Sequence, residues 1–333
     1  MKHILSLTTT LACLVACQTT SQNANSANHQ CEIATWKNFA TAAVSYTFDD
    51  NLPNQFTIAA PMLEKYGFRG SFYPIVSTVD DWQVLQKCAN EGHEIGSHTF
   101  THLALSQLSA DSLEYELSYS KELINQNISD SQCCTMVYPY CNMPDTAAVA
   151  RHYIAARICD KRIEPSTPNN YFAISSFGIG SESEYNDAQS VIKIFDTAYN
   201  QGGWCVLLLH EIEEGFGYSP YSTAALDSTM NYLASNQNKF WVGTFGDVVK
   251  YTRERDNTKI ELIAENDTEK TFSFTNNLSN IYNIAISVRC PLPQKWTNAI
   301  AKQDQKEIET HVNDGYIYFE VNPNGGNVTI SKL

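Results

Sequence analysis

The feature that most constrains the fold is a regular alternation of short apolar segments with amphipathic ones, which begins at Ala42. The segment Trp204 to His210 is almost entirely apolar, as strands buried on both faces of a parallel sheet are. The other predicted strands are Ala42 to Phe48, Ser71 to Ile75, His93 to Gly96 and Val137 to Tyr140, and the predicted helices are Gln55 to Tyr66, Trp82 to Asn90, Ser109 to Asn125, Thr146 to Tyr153 and Tyr221 to Asn236. This alternation predicts an α/β fold with a parallel sheet or barrel of about 220 residues.

The last part of the chain has a different pattern. After Asp256, short strands follow one another directly and are separated by turn-forming stretches such as Asn322 to Gly326, which predicts a small all-β, sandwich-like domain. We therefore predict four parts: a signal peptide at 1–17, a flexible tether at 18–30, a barrel at 31–254 and an accessory β-sandwich at 255–333. The accessory domain could bind sugar, but a packing or spacer role is as plausible, because the sequence shows no aromatic platform beyond Trp296 and scattered tyrosines.

The first residues predict export from the cytoplasm. A short basic start precedes the apolar stretch Ile4 to Val15, which is shorter than the ~20 residues that a membrane-spanning helix needs. The sequence Leu14-Val15-Ala16-Cys17 that follows resembles a bacterial lipoprotein cleavage site, so Cys17 is predicted to carry lipid. The alternative is an ordinary secretory signal cleaved nearby. With Gln18 after the cysteine, we expect a lipid-anchored protein of the bacterial cell envelope, at the outer membrane and facing the periplasm or the surface.

Charge and cysteine content limit the partners and the compartment. The formal net charge of -14 argues against a nucleic-acid partner, because phosphate binding needs clustered Lys and Arg. Eight cysteines remain after Cys13 and Cys17 are set aside, and an oxidising compartment would permit disulfides among them. Their pairing stays open at this stage, and we interpret them as structural thiols or bridges.

Three predicted strand ends carry side chains that suit a hydrolytic metal site. Asp49 and Asp50 end the first strand, and two adjacent carboxylates are costly to bury without a compensating cation. His98 and His102 follow the strand at His93 to Gly96, and would share one face if this stretch were helical. His210 ends the apolar strand. Asp, His and His delivered in this order predict a site for a divalent metal, with zinc the expected ion.

These motifs resemble those of the polysaccharide deacetylase (NodB-homology) family, carbohydrate esterase family 4. The resemblance covers roughly Ala42 to Tyr251, and it is carried by Thr47-Phe48-Asp49-Asp50, His98-Thr-Phe-Thr-His102, Val137-Tyr-Pro-Tyr140 and Leu207-Leu-Leu-His210. It implies a distorted (β/α) barrel in which Asp50, His98 and His102 hold the metal and Asp49 is the general base. It further implies that His210 protonates the leaving group.

The same resemblance implies how substrate is contacted. Tyr140, next to Pro139, would donate a backbone N–H to the oxyanion. Leu208 and its apolar neighbours would line the acetyl pocket or pack beneath it. The substrate would be an acetylated polysaccharide or oligosaccharide, with an O-acetyl ester or an N-acetyl amide as the bond that is hydrolysed.

The sequence also departs from the family pattern. Val137 stands where the third motif usually has an arginine that orients the base, and the fourth motif has no clear counterpart between Asp160 and Glu184. Arg157 and Arg162 could replace the arginine or could be ordinary surface charges, and we favour the second interpretation for each. A non-catalytic sugar-binding lipoprotein on a decayed deacetylase barrel is therefore the alternative to an active enzyme.

Overall fold

The computed structural model describes residues 31–333, with β1 to β9 and α1 to α7 before residue 258 and β10 to β17 after it. The strands are β1 Glu32–Ile33, β2 Ala42–Asp49, β3 Ser71–Tyr73, β4 Glu94–Ile95, β5 Thr135–Val137, β6 Ala155–Arg157, β7 Phe177–Gly178, β8 Trp204–Leu209, β9 Phe240–Val242, β10 Lys259–Glu265, β11 Glu269–Thr275, β12 Ile286–Pro291, β13 Ala299–Gln303, β14 Lys306–Ile308, β15 Thr310–Asn313, β16 Tyr316–Val321 and β17 Val328–Lys332. The helices are α1 Ala60–Lys65, α2 Trp82–Asn90, α3 Ala110–Asn127, α4 Thr146–Val149, α5 Ala188–Gln201, α6 Thr223–Ala234 and α7 Phe245–Asn257.

The first region is a distorted (β/α) barrel, as the sequence predicts. Strand β2 pairs in parallel with β3 and with β8, β3 pairs with β4, and β8 pairs with β7. The two-stranded unit β5–β6 closes the ring through single parallel bridges, Ser97 with Met136 on one side and Arg157 with Ile174 on the other. The first seven residues of β2 are fully buried and Asp49 is 2% exposed, because β2 lies at the centre of this arrangement with β9 as a further parallel neighbour.

The C-terminal region is all-β, also as predicted. A four-stranded sheet, β1-β12-β16-β15, and a five-stranded sheet, β10-β11-β17-β13-β14, enclose a second apolar core. Alternate residues of one strand face that core, as Ile317, Phe319 and Val321 of β16 show. The strands β13, β14 and β15 are absent from the sequence-based prediction.

The domain boundary predicted at residue 254 stays a prediction. Two features of the structure concern the division into domains. Helix α7 continues to Asn257, so the C-terminal sheets begin at Lys259. Glu32 and Ile33, assigned from sequence to the barrel region, instead pair with Arg289 and Val288 of β12. The chain thus contributes a strand to the C-terminal sheet before it enters the barrel.

Several predicted elements differ in detail. The helix expected at Gln55 to Tyr66 begins with a π-helical turn, Gln55–Ala59, and continues as α1. The strand expected at Val137 to Tyr140 is wrong after Val137, because a 3-10 turn at Pro139–Cys141 replaces it. The proline lacks the N–H that a sheet ladder requires.

The predicted signal, tether and lipidated Cys17 lie outside the described residues. Within residues 31–333, no helix combines the length and apolar character needed to cross a bilayer.

Four cysteines form two disulfides, Cys31–Cys290 and Cys141–Cys159, and Cys88, Cys133, Cys134 and Cys205 are buried thiols. The first disulfide joins residues separated by 259 positions and anchors β1 beside β12. A crosslink over so long a separation restricts the unfolded chain strongly.

We expect the double variant Cys31→Ser/Cys290→Ser to lower the free energy of unfolding by about 2–5 kcal/mol, because the unfolded chain regains the lost freedom. Guanidinium titration with and without dithiothreitol measures this. Under reducing conditions, the parent and the variant should have the same free energy of unfolding, because the bond is broken in both. A variant as stable as the oxidised parent would contradict the expectation.

Candidate metal centre

Asp49 and Asp50 end β2 at the rim of the barrel, and the backbone turns sharply directly after them. Asp50 and Asn51 have φ angles of 79° and 60°, so the chain leaves the strand direction at Asp50. The side chain of Asp49 is 3% exposed and that of Asp50 is 22% exposed. The turn therefore places one carboxylate inside the barrel and the other at its opening.

His98 and His102 lie in a loop, so the predicted helical arrangement of this pair is wrong. Thr99 and His102 have φ angles of 66° and 62°, which no right-handed helix contains. Buried Glu116 of α3 holds the loop by accepting hydrogen bonds from the backbone N–H groups of Phe100 and Thr101, at 2.9 and 2.8 Å. The two imidazoles still meet, because the loop folds back on itself.

Asp50, His98 and His102 come together at this rim, as the sequence predicts. The Nε2 atoms of His98 and His102 are 3.1 Å apart, and Oδ1 of Asp50 lies 3.5 Å from the first and 3.7 Å from the second. Nδ1 of His98 is 3.0 Å from the carbonyl oxygen of Val137, so this nitrogen carries the proton and Nε2 keeps its lone pair for the site. The three residues form a candidate metal centre.

The electrostatics of this group fit a divalent cation. Ligands about 2.0–2.2 Å from a tetrahedral zinc ion lie about 3.3–3.6 Å from one another, close to the separations seen here. Oδ1 of Asp50 is buried and lacks a hydrogen-bond partner among residues 31–333. Burial and the charge of Asp49 raise the pKa of Asp50 to about 6, and burial lowers the pKa of His98 to about 4. A cation would stabilise the carboxylate and bind the neutral imidazoles.

Asp49 is compensated by a positive charge of the protein itself. Nη2 of Arg157, at the end of β6, contacts Oδ2 of Asp49 at 2.5 Å, and Nη1 contacts Oγ1 of Thr47 at 3.1 Å. Burial alone would raise the pKa of Asp49, but the charges of Arg157, His98 and His210 outweigh it and lower that pKa. Asp49 is thus held as a carboxylate.

This contact corrects the interpretation of Arg157 as a surface charge. Arg157 is 2% exposed, whereas the side chain of Arg162 is 48% exposed and pairs with Asp160 at 2.7 Å. The sequence named Arg157 as one of two candidates, but the parallel pairing of β5 with β6, which aligns Val137 with Arg157, could not be read from it.

The other predicted site residues line the same cleft. His210, Tyr140 and Leu208 line it together with the metal-site residues, in a volume of about 650 Å³. Nε2 of His210 lies 3.9 Å from Oδ2 of Asp50, and its ring meets the ring of Tyr218 edge-on at 5.1 Å. Pro139 is buried beneath Tyr140 in the 3-10 turn rather than on the cleft surface.

Gln55 is a site residue that the sequence did not reveal. Its Nε2 donates to the carbonyl oxygens of Asp49 and of His210, the second at 2.9 Å, and so links the ends of β2 and β8. Nothing in the motif pattern marks it, because it lies six residues after Asp49 in the π-helical turn.

Comparison with known families agrees with this geometry. A family model described as polysaccharide deacetylase matches residues 37–156, which include Asp49, Asp50, His98 and His102. Residues 37–156 thus resemble the polysaccharide deacetylase family.

Individual relatives differ in how much of their sequence they share with the chain. It is 28% identical over 328 residues to a protein named gellan lyase from a Bacillus species, an alignment that covers 90% of this chain and 13% of that protein. A chitin deacetylase from Arthroderma benhamiae is 29% identical over 152 residues, covering 42% of this chain and 40% of that protein. The chain thus spans less than half of the length of these relatives.

Among solved structures, the Xyl-CE4 domain of a multidomain xylanase from the hindgut metagenome of Trinervitermes trinervoides is similar. It shares 19% sequence identity with this chain at a TM-score of 0.47, and the match covers 62% of this chain and 89% of that domain.

The raised pKa of Asp50 generates a prediction for the metal-free protein. A carboxyl group whose pKa is raised by folding destabilises the folded state progressively as the pH rises above its unfolded pKa, and fully once the pH exceeds its folded pKa. Asp50→Asn should therefore increase the free energy of unfolding at pH 7 in the presence of a chelator, by up to about 3 kcal/mol, and should have little effect below pH 4.

Urea titrations from pH 4 to pH 8 test this, with Asp80→Asn, which alters an exposed aspartate, as the control. Added Zn²⁺ should reverse the order, because the parent then gains binding free energy that the variant lacks. An Asp50→Asn variant that is less stable at pH 7 without metal would contradict the assigned electrostatics.

Proposed function

We propose that this protein is a metal-dependent hydrolase that removes acetyl groups from a polysaccharide or oligosaccharide. The observation that carries the proposal is one cleft that contains both a metal-ligand set, Asp50, His98 and His102, and an ionised carboxylate, Asp49. A ligand set and a base in contact with one cleft are what metal-assisted hydrolysis requires.

We assign the metal as zinc, held by Asp50, His98 and His102. Two imidazoles and one carboxylate are a common zinc set, and they leave coordination positions open for substrate and water. When bound, zinc would lower the pKa of water toward ~7 and polarise the acetyl carbonyl.

Asp49 is then the general base. Its Oδ1 is buried without a hydrogen-bond partner within the described region, while Oδ2 is held by Arg157. Oδ1 is therefore available to accept a proton from water, and the contact with Arg157 fixes the orientation of the carboxylate. Because the pKa of Asp49 is lowered, the base stays ionised at neutral pH.

The other cleft residues contact the substrate. The backbone N–H of Tyr140 lies in the first turn of a 3-10 helix, where N–H groups lack helical acceptors, and it would stabilise the oxyanion. Pro139 would act indirectly, because its ring fixes the backbone of that turn. His210 would donate a proton from Nε2 to the leaving oxygen or nitrogen. Leu208, 8% exposed at the cleft wall, would contact the acetyl methyl group.

The substrate class follows from the family and not from a single relative. A chitin deacetylase acts on chitin by its name, which favours an N-acetylated polymer, whereas metal-activated water would serve an O-acetyl ester equally well. The alternative, a non-catalytic sugar-binding protein, rested on the missing arginine of the third motif. Arg157 supplies that charge from β6, which supports an active enzyme.

We also propose, from sequence alone, that lipid on Cys17 anchors the enzyme in a bacterial envelope, at the outer membrane. The apolar stretch and the sequence before Cys17 support this. Globomycin sensitivity of processing and radiolabelled palmitate incorporation would test it.

Acetate release is the direct test of the function. The purified chain, loaded with Zn²⁺, should release acetate from at least one of acetylated xylan, chitin oligomers, peptidoglycan or acetylated algal polymers. Chelation should abolish release and Zn²⁺ should restore it. No release from any acetylated carbohydrate, with metal bound, would exclude the enzymatic proposal and leave the sugar-binding alternative.

Asp49→Asn separates the base from the metal ligands. We expect the variant to keep about one equivalent of metal and to lose acetate release by about 10²–10⁴-fold, because proton transfer to Asp49 is removed while the ligands remain. Metal content by mass spectrometry and initial rates measure the two effects. An unchanged rate would mean that another group activates the water.

Arg157→Met tests the orientation and ionisation of the base. Without the guanidinium, burial raises the pKa of Asp49, so the acid limb of kcat/KM should move to higher pH. Arg162→Met removes an exposed arginine and should leave the pH profile unchanged. If both profiles match the parent, Arg157 does not control Asp49.

A further inference from the structure

The C-terminal region carries a second cleft that shares no residue with the deacetylase cleft. It has a volume of about 760 Å³, lies beside the four-stranded sheet and the segment Lys37–Phe39, and reaches Gln303 and Ile308 of the five-stranded sheet. Its lining includes Phe39, His311 and Tyr318, together with Asn38, Glu309 and Glu320. Clefts of this size that combine aromatic walls with a few polar groups are typical of ligand sites.

The aromatic side chains come together because of strand register. Tyr316 and Tyr318 alternate with the core residues of β16 and therefore project from the outer face of the sheet. Tyr318 pairs with Arg289 on one side and with His311 on the other. The rings of His311 and Tyr318 are stacked, with centroids 4.5 Å apart and an interplanar angle of 8°.

Phe39 is held over this face by the segment that precedes β2. Its ring meets Tyr318 edge-on at 5.4 Å, and Arg289 lies 5.0 Å from the Phe39 ring and 5.1 Å from the Tyr316 ring. Asn38 and Phe39 have φ angles of 57° and 59°, and two successive non-glycine residues in this region are costly unless contacts hold them. We call Phe39, Arg289, His311, Tyr316 and Tyr318 the aromatic face.

Charges around the aromatic face are already paired within the protein. Lys37 contacts Glu320 at 3.1 Å, and Arg289 contacts Glu32 at 2.6 Å. The cleft also contains the acidic side chain of Glu309, and the whole chain has a net charge of -14. Both negative charges disfavour an anionic ligand. Side-chain amide and carboxylate groups at the rim can instead accept and donate hydrogen bonds to neutral hydroxyl groups.

We propose that the aromatic face is a second carbohydrate-binding site, which binds a neutral glycan chain and is separate from catalysis. The solvent-exposed parts of the Phe39, His311 and Tyr318 rings provide apolar surface for the C–H faces of sugar rings, and Asn38 and Glu309 provide partners for their hydroxyl groups. Paired charges make an anionic polymer or a nucleic acid a poor fit. The site would hold the enzyme on a polymer while the deacetylase cleft acts on it.

Binding to unacetylated neutral polymers tests the proposal without involving catalysis. The full chain is mixed with insoluble cellulose, insoluble xylan and chitin, and the unbound fraction gives the affinity. Tyr318→Ala/His311→Ala should weaken binding about tenfold or more on at least one polymer, because the stacked pair is lost. Turnover of 4-nitrophenyl acetate should stay at the parental level, and Tyr115→Ala, which removes an exposed tyrosine of α3, should bind normally.

Phe39→Ala gives a second test that does not alter the sheet, because Phe39 lies in a surface turn. It should also weaken binding, and Tyr318→Trp should preserve it. Equal binding by the parent and all variants would overturn the proposal, as would retention on none of the neutral polymers. Binding only to the anionic polymer carboxymethyl cellulose would equally overturn it, because the charge argument would be wrong. Failure here leaves acetate release by the deacetylase cleft unaffected, so the two proposals can be judged separately.

Discussion

The structure around the cleft depends on how two adjacent carboxylates at the end of β2 are compensated. Asp49 points into the barrel, where its carboxylate pairs with Arg157, which also donates a hydrogen bond to Thr47. This pairing lowers the pKa of Asp49. Asp50 points to the opening, where burial and the charge of Asp49 raise its pKa to about 6. Asp49 thus has a compensating charge built into the protein, and a bound cation would supply the one for Asp50. This asymmetry gives two identical side chains opposite pKa shifts.

The barrel connections explain why the remaining groups lie where they do. The carbonyl of Val137 at the end of β5 fixes the tautomer of His98, and β6 beside it delivers Arg157. Helix α3 contributes Glu116, which holds the loop between His98 and His102. Each of these partners comes from a different element, so the site exists only when the ring of strands is complete. The site is therefore ordered only in the folded barrel.

The sequence predicted the barrel, the C-terminal β-region and the convergence of Asp50, His98 and His102, because apolar periodicity and motif order are local signals. It failed where the outcome depended on packing between distant segments. A spacing of four residues suggested a helix for His98 and His102, but Glu116 stabilises a loop with positive φ angles instead. Likewise, β1 and the aromatic face depend on contacts between segments more than 240 residues apart. One example is the hydrogen bond from the backbone N–H of Asn38 to Oγ of Ser287, which is 249 positions away. No local pattern marks such contacts.

Arg157 places a guanidinium group beside Asp49 although the third motif lacks its arginine. The third motif has Val137 where an arginine is expected, yet the guanidinium group still reaches Asp49 from the adjacent parallel strand. Val137 and Arg157 are partners in the β5–β6 register, so the strand that carries the third motif lies directly beside the strand that supplies the charge. What Asp49 requires is a positive charge at its buried oxygen, because an uncompensated carboxylate there would be protonated. In this protein, Arg157 meets that requirement from β6.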